Sequence, residues 1–217
     1  MKKAICLLLA IIFILGVTAC TNDNNQTTGQ SATKLDYYTT IKEQGDNVVF
    51  DMTIEEFVSS FNQAVMLMKY TRGVEITSLE TNDFEKIGTG TSWFNPIENE
   101  RWSALLDDNN NLVVGVDNSG IASVMLMSPS KTEIVLSQFI CVIQAVTQKF
   151  NDDNFTDEEA FDIADELIEK MGTANNAAAI YRKGIVFYFR PLENPDVWVF
   201  GAEAVTEEQY NQTIGTE

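Results

Sequence analysis

Histidine is absent from all 217 residues of the sequence. This absence excludes Ser-His-Asp and Cys-His catalysis, histidine-based zinc sites and the usual general base near neutral pH. Any catalysis would have to depend on carboxylates, lysine, tyrosine or a cofactor. No pattern in the chain predicts a cofactor or a metal site.

Cysteine is scarce, and only Cys141 lies beyond the first twenty residues. Without a second cysteine in that region, no intramolecular disulfide can form there. Cys141 stands inside the apolar segment 139–143. We therefore expect a small buried hydrophobic residue in preference to a reactive thiol.

Basic residues are also few, with 14 Lys and Arg against 32 Asp and Glu and a net charge of −18. Such a chain is repelled by nucleic acid, whose binding requires lysine and arginine, and by anionic lipid headgroups. Cationic partners or divalent metals are compatible with this charge. A solvated acidic surface explains it equally well.

The amino terminus has the layout of a secretory signal. Residues 1–3 read MKK and precede an apolar run over residues 4–17, which is shorter than the roughly 20 residues of a spanning helix. Residues 17–20 read VTAC, which resembles the lipobox of bacterial lipoproteins, with valine where leucine is commonest. The resemblance covers the first twenty residues of the chain.

The resemblance implies cleavage after residue 19, a diacylglycerol on Cys20, and usually a third acyl chain on the new amino terminus. The lipid would hold the protein on the extracytoplasmic side of the cell membrane. Residues 20–34 contain almost no apolar side chain, so we expect a flexible tether. Residues 35–217 are then predicted to form one globular domain.

Hydrophobic periodicity predicts three helices separated by strands. Capping pairs place the helix starts at Thr53, Ser130 and Thr156, and Gly172 is expected to end the third helix. Strands are predicted at 102–106, 112–116, 121–127, 178–182, 185–190 and 197–202, and less clearly at 74–79 and 86–94. The order predicts an α+β fold, with antiparallel sheet covered on one face by helices.

A short internal sequence similarity, called the internal echo below, accompanies this order of elements. Residues 52–56 resemble residues 155–159, and each segment opens a helix that is followed by strands. Two fused α–β halves, 48–128 and 129–205, would explain the echo. Chance recurrence of a capping motif explains it too.

Residues 107–111 read DDNNN and resemble the start of an EF-hand loop. Leu112 occupies the position of the invariant glycine, and Asn118 that of the bidentate glutamate. Because Asp and Asn are also preferred in tight turns, a hairpin turn is the better interpretation.

Aromatic residues cluster in the last two predicted strands. A symmetric hairpin closing on residues 193–196 would place Phe189 opposite Trp198 and Phe187 opposite Phe200, on the face packed against the second and third helices. Tyr188 would lie on the opposite face. Candidate ligand contacts are Trp93, Trp102 and Tyr188, because aromatic side chains stack on sugars and peptides.

No catalytic residue is predicted from these patterns. They favour a lipid-anchored, non-catalytic binding or accessory module of the cell envelope, with a peptide, a glycan or an envelope protein as partner and with no role for nucleic acid. The alternative is an extracytoplasmic hydrolase that uses carboxylates.

Overall fold

The computed structural model of the protein describes residues 36–174, 177–192 and 197–215. The predicted signal peptide, Cys20, the predicted tether and the turn 193–196 lie outside the described residues. Among the described residues, no helix combines the length and apolar character needed to cross a bilayer.

Nine strands form one antiparallel sheet. They are β1 (Ile41–Gln44), β2 (Asn47–Phe50), β3 (Glu85–Gly90), β4 (Asn99–Leu105), β5 (Asn111–Val116), β6 (Ile121–Ser128), β7 (Ala178–Arg182), β8 (Ile185–Pro191) and β9 (Trp198–Ala204). The strand order is β3-β4-β5-β6-β9-β8-β7, and the β1–β2 hairpin joins β6 where Phe50 lies opposite Ile121. The α+β prediction is confirmed, whereas the strand predicted at 74–79 is absent and β1 and β2 were not predicted.

Three long helices cover one face of the sheet: α1 (Ile54–Arg72), α2 (Glu133–Thr147) and α3 (Glu158–Ala174). At the start of α1, the Thr53 hydroxyl accepts from the Glu56 N–H, and the Glu56 carboxylate accepts from the Thr53 N–H. This capping box confirms the predicted start.

Two predicted helix starts and one predicted helix end were wrong in detail. The N-cap of α2 is Thr132, because the N–H of Ser130 is bonded to the Ser128 hydroxyl and the chain enters the helix two residues later. α3 begins at Glu158, two residues beyond Thr156, and continues past Gly172 to Ala174. A fourth helix, α4 (Glu207–Ile214), was not predicted.

The predicted aromatic face is confirmed, but the predicted register was wrong. Phe187, Phe189 and Phe200 are buried in the core beneath α2 and α3, and Trp198 packs partly buried against it. Phe189 lies opposite Phe200, and Phe187 lies opposite Ala202. The register differs by two residues from a symmetric hairpin, and a shift of two leaves every side chain on its own face.

Cys141 is fully buried within α2, as predicted. Burial raises the pKa of its thiol to about 12. Very little thiolate, the reactive form, therefore exists at neutral pH.

Residues 107–111 form part of the β4–β5 hairpin, in which Leu105 lies opposite Asn111. The Asp107 carboxylate accepts hydrogen bonds from the backbone N–H groups of Asn109 and Asn110 and from the Gln138 amide on α2. The segment is a turn fastened to a helix, as the sequence favoured.

The sheet is arranged symmetrically about its centre. β6 and β9, the last strands of the two predicted halves, pair with each other, and β3 to β6 on one side and β7 to β9 on the other run from the edge towards the centre; β2 of the first half stands apart, because it pairs with β6. This arrangement is compatible with the internal echo, and the duplication itself stays a prediction.

Replacing Phe189 with alanine should lower the free energy of unfolding by about 3–5 kcal/mol, because it removes a buried aromatic ring from beneath α2 and α3. The matched control is Leu105→Ala, whose side chain is 66% exposed and whose loss should cost less than about 0.5 kcal/mol. Urea denaturation measures both. Equal costs would contradict the assignment of the core to the helix face.

Candidate functional site

The three aromatic residues predicted to bind a ligand do not form one site. Trp102 packs partly buried against the helix-side core. Trp93 and Tyr188 meet on the opposite face of the sheet, with ring centroids 5.2 Å apart at 85°. Tyr188 is only 1% exposed in this conformation, so its role in binding stays a prediction.

A loop and a short helix cover this second face. Residues 91–98, which connect β3 to β4 and are called the strap below, lie over β8 and β9, and α4 lies beside them. The strap residue Phe94 is 1% exposed and contacts the rings of Tyr188 and Tyr210 at 5.7 and 5.8 Å. The strap and α4 thereby close a second, smaller core.

One buried carboxylate fastens the strap to the sheet. Glu203 on β9 is 0% exposed. Its oxygens accept hydrogen bonds from three consecutive strap N–H groups, those of Trp93 (3.1 Å), Phe94 (2.9 Å) and Asn95 (2.9 Å). The Tyr188 hydroxyl donates a fourth. Four donors satisfy a group that burial would otherwise penalise strongly.

A buried guanidinium lies in the same region. Arg101 on β4 is 7% exposed and donates to the hydroxyls of Ser123 on β6 (2.8 Å) and Ser92 in the strap (2.9 Å). Burial lowers its pKa, and the negative charge of Glu203 opposes that change. The strap is thus tied to the sheet through groups of both charges.

Two glycines make room for these polar side chains. A Cβ on Gly201 would lie 2.2 Å from the Tyr188 ring, and a Cβ on Gly115 would lie 2.8 Å from the Arg101 guanidinium. Neither approach is sterically allowed. Gly115 and Gly201 therefore admit the side chains that surround Glu203.

Glu203, one of 32 acidic residues, was not predicted as a functional residue. A usable signal was present, since Glu203 is the one charged residue in the strand WVFGAEA. Alternation places it on the same face as Gly201 and Val199. A lone acid in an otherwise apolar strand indicates a buried, hydrogen-bonded carboxylate.

The chemistry open to Glu203 is limited by its enclosure. Burial raises the pKa of its carboxyl, although the Tyr188 hydroxyl and the three strap N–H groups oppose the change. A perturbed carboxyl beside a tyrosine and an arginine is typical of acid–base sites. With the strap closed, however, no substrate reaches it, so its role in this conformation is to hold the strap.

A separate cleft of about 710 Å³ opens where α1 begins, within the size range of small-ligand sites. Residues 51–56, the β5–β6 turn at 116–120, and Lys149 with Phe150 contribute most of its wall. The half-buried Ile54 and Val116 supply apolar surface, and Phe150 is 47% exposed at the cleft.

Acidic groups predominate in the cleft: among the described residues, its wall carries Asp51, Glu55, Glu56 and Asp117 and a single cation, Lys149. Asp51 lies 4.0 Å from Lys149 and 3.7 Å from Lys42. One Asp117 oxygen accepts from the N–H groups of its own turn. Within the described part of the chain, the Glu55 carboxylate makes no hydrogen bond or ion pair.

The N-terminus of α1 offers little to an anion, because the capping box already uses the N–H groups of Thr53 and Glu56. No group of three or more His, Cys, Asp and Glu residues in the described ranges is arranged to hold a metal ion. The cleft therefore combines unpaired negative charge with exposed apolar surface.

The raised pKa of Glu203 predicts how stability depends on pH. Its protonated form is favoured by folding, so its contribution is fully present below the unfolded pKa of about 4.3 and is lost as pH rises through the folded pKa. Because glutamine does not titrate, Glu203→Gln should remove this pH-dependent contribution to the free energy of unfolding. Any other effect of the substitution on stability should be the same at every pH. Between the two pKa values, the variant should gain relative to wild type by about 1.4 kcal/mol per pH unit.

Urea denaturation across this pH range measures the difference between the two proteins, in which the contributions of the other carboxylates cancel. Parallel stability curves would show that folding does not perturb Glu203.

Comparison with known proteins identifies no relative. No family model matches the sequence, and no curated protein or solved structure has significant similarity to it. The geometry of the cleft and of the strap is therefore the basis on which a function can be assigned.

Proposed function

We propose that this chain is a lipid-anchored, non-catalytic binding module of the cell envelope, whose cleft takes a cationic, partly apolar segment of a peptide or envelope protein. The observation that carries the proposal is the cleft at the start of α1, with four acidic residues, one lysine and an exposed phenylalanine in its wall. Lipid on Cys20 would hold this cleft outside the membrane.

Charge supports a cationic ligand. Glu55 stands in the first turn of α1 with its carboxylate unpaired among the described residues, so a lysine or arginine side chain would meet a free acceptor there. The overall charge of −18 would also accelerate the approach of a cationic partner. Phe150 and Ile54 offer apolar contact beside these charges.

Catalysis by carboxylates is the less well supported alternative. Asp51, Glu56 and Asp117 already have ion-pair or hydrogen-bond partners within the protein. The most perturbed carboxyl, Glu203, is enclosed beneath the strap. Glycoside hydrolysis by carboxylates generally uses a pair of carboxyl groups that both face the scissile bond, and among the described residues Glu55 is the one cleft carboxylate without a partner.

Charge reversal at the cleft should weaken binding of a cationic probe. With the tripeptide amide Lys-Phe-Lys as ligand, Glu55→Lys should reduce affinity by about tenfold, the loss expected for about 1.4 kcal/mol. Isothermal titration calorimetry on the full-length chain in mild detergent measures the affinity at low and physiological salt.

The matched control is Glu169→Lys, which makes the same charge change on the exposed face of α3. It should alter affinity by less than about twofold, because a distant exposed charge is screened. Equal losses in both variants would show attraction by net charge alone. Absence of measurable binding to the wild-type protein would contradict a cation-binding cleft.

Lipid attachment is tested separately. Cys20→Ala should abolish labelling by a fatty-acid probe and leave the protein unprocessed or released from the membrane, because it removes the thiol that would carry the lipid. In-gel detection after metabolic labelling in a bacterial host measures this. Cys141→Ala serves as control, and equal labelling of wild type and Cys20→Ala would contradict the anchor.

A further inference from the structure

Apart from a hydrogen bond at its base, which the Thr89 hydroxyl of β3 donates to Glu98 (2.7 Å), the strap is bonded to the sheet chiefly through Glu203 and Arg101. Its own backbone forms a closed turn, in which the Ser92 N–H donates to the Asn95 carbonyl and the Ile97 N–H donates to the Asn95 side chain. Towards the sheet, its three consecutive N–H groups all go to Glu203. Arg101 reaches the Ser92 hydroxyl, and the Asn95 amide reaches the Ala204 carbonyl at 3.4 Å.

Both ends of the strap meet at one point of the sheet. β3 ends at Gly90 and β4 begins at Asn99, and these two residues are paired. The strap can therefore swing about this pair while the β3–β4 ladder keeps its register. A Cβ on Gly90 would approach nothing closer than 3.6 Å, so the hinge is not crowded.

We propose that the strap opens from the sheet as a unit, with the Glu203 carboxylate as its latch, and that opening uncovers a face carrying Tyr188, Arg101 and Glu203. This device is independent of the cleft and of the function proposed for it. It also gives Tyr188, which is buried when the strap is closed, a conformation in which a ligand can reach it.

The free-energy difference between the closed and open strap depends on the groups that the closed strap buries. Closure buries Phe94 and adds three strap N–H donors to the Tyr188 hydroxyl at Glu203, but it also keeps a carboxylate out of water. The groups facing that carboxylate are Tyr188 from β8 and Arg101 from β4, with Arg190 of β8 stacked at 4.9 Å over Trp93. In the open state water solvates these polar groups, so opening costs less than release of a purely apolar loop would.

Hydrogen–deuterium exchange on the full-length chain in mild detergent tests the proposal. In the wild-type protein, the amides of Phe94 and Asn95 should exchange at least about tenfold faster than the central amides of β6 and β9. Their rates should not change with low urea, as expected for a local opening. Exchange of strap amides at the same rate as β6 and β9, with the same urea dependence, would overturn the proposal.

Glu203→Ala removes the latch. If the strap opens as a unit, the three N–H groups that lose their acceptor form hydrogen bonds with water. Hydrogen exchange of the strap amides should then be at least about tenfold faster than in the wild-type protein, while the amides of β6 and β9 stay protected. The matched control is Asp107→Ala, which removes a carboxylate that accepts two backbone N–H groups in the β4–β5 turn. Asp107→Ala should accelerate hydrogen exchange only at the amides of that turn.

Unfolding of the whole domain in Glu203→Ala would mean that the strap cannot open alone, and would overturn the proposal. Strap exchange equal to wild type in that variant would show that Glu203 is not the latch.

Discussion

The central pairing of β6 with β9 is the interaction on which the rest of the structure depends. It joins strands that are far apart in the sequence, and every other strand of the sheet is reached through one of these two. On the helix face, it sets Leu126 opposite Phe200 beneath α2. On the other face, it sets Ser123 opposite Glu203, and this row carries the polar groups that hold the strap.

The two faces are stabilised differently. The helix face buries a continuous apolar core, which supplies most of the stability. This contribution does not depend on the protonation or hydrogen bonding of any single side chain. The second face is closed by a few aromatic contacts and by hydrogen bonds that converge on Glu203. A conformational change is therefore expected on the strap side of the sheet and not on the helix-covered face.

The sequence predicted the fold class, the first helix start and the alternation of β8 and β9, because these depend on local pattern: the Thr53 capping box and apolar residues at period two. It could not predict the register of Phe189, since a shift of two residues preserves every face. It also missed β1 and β2, which are strands of only four residues, and α4, although the Thr206–Gln209 capping box was a usable local signal for that helix. The isolation of Glu203 in an apolar strand is visible in the sequence, but its partners are not, because the strap N–H groups that it accepts from lie about 110 residues away and no local pattern encodes those contacts.

The central claim is that one enclosed carboxyl, with its pKa raised by burial, organises the second face of the sheet. Carbon-13 NMR of the side-chain carboxyl groups, with Glu203→Gln to assign the resonance, measures this directly in the folded protein. A Glu203 signal that titrates above the ordinary glutamate value of about 4.3 is the expected result. Titration at or below that value would contradict the claim, because the four hydrogen bonds would then outweigh burial and Glu203 would be a stabilised ion.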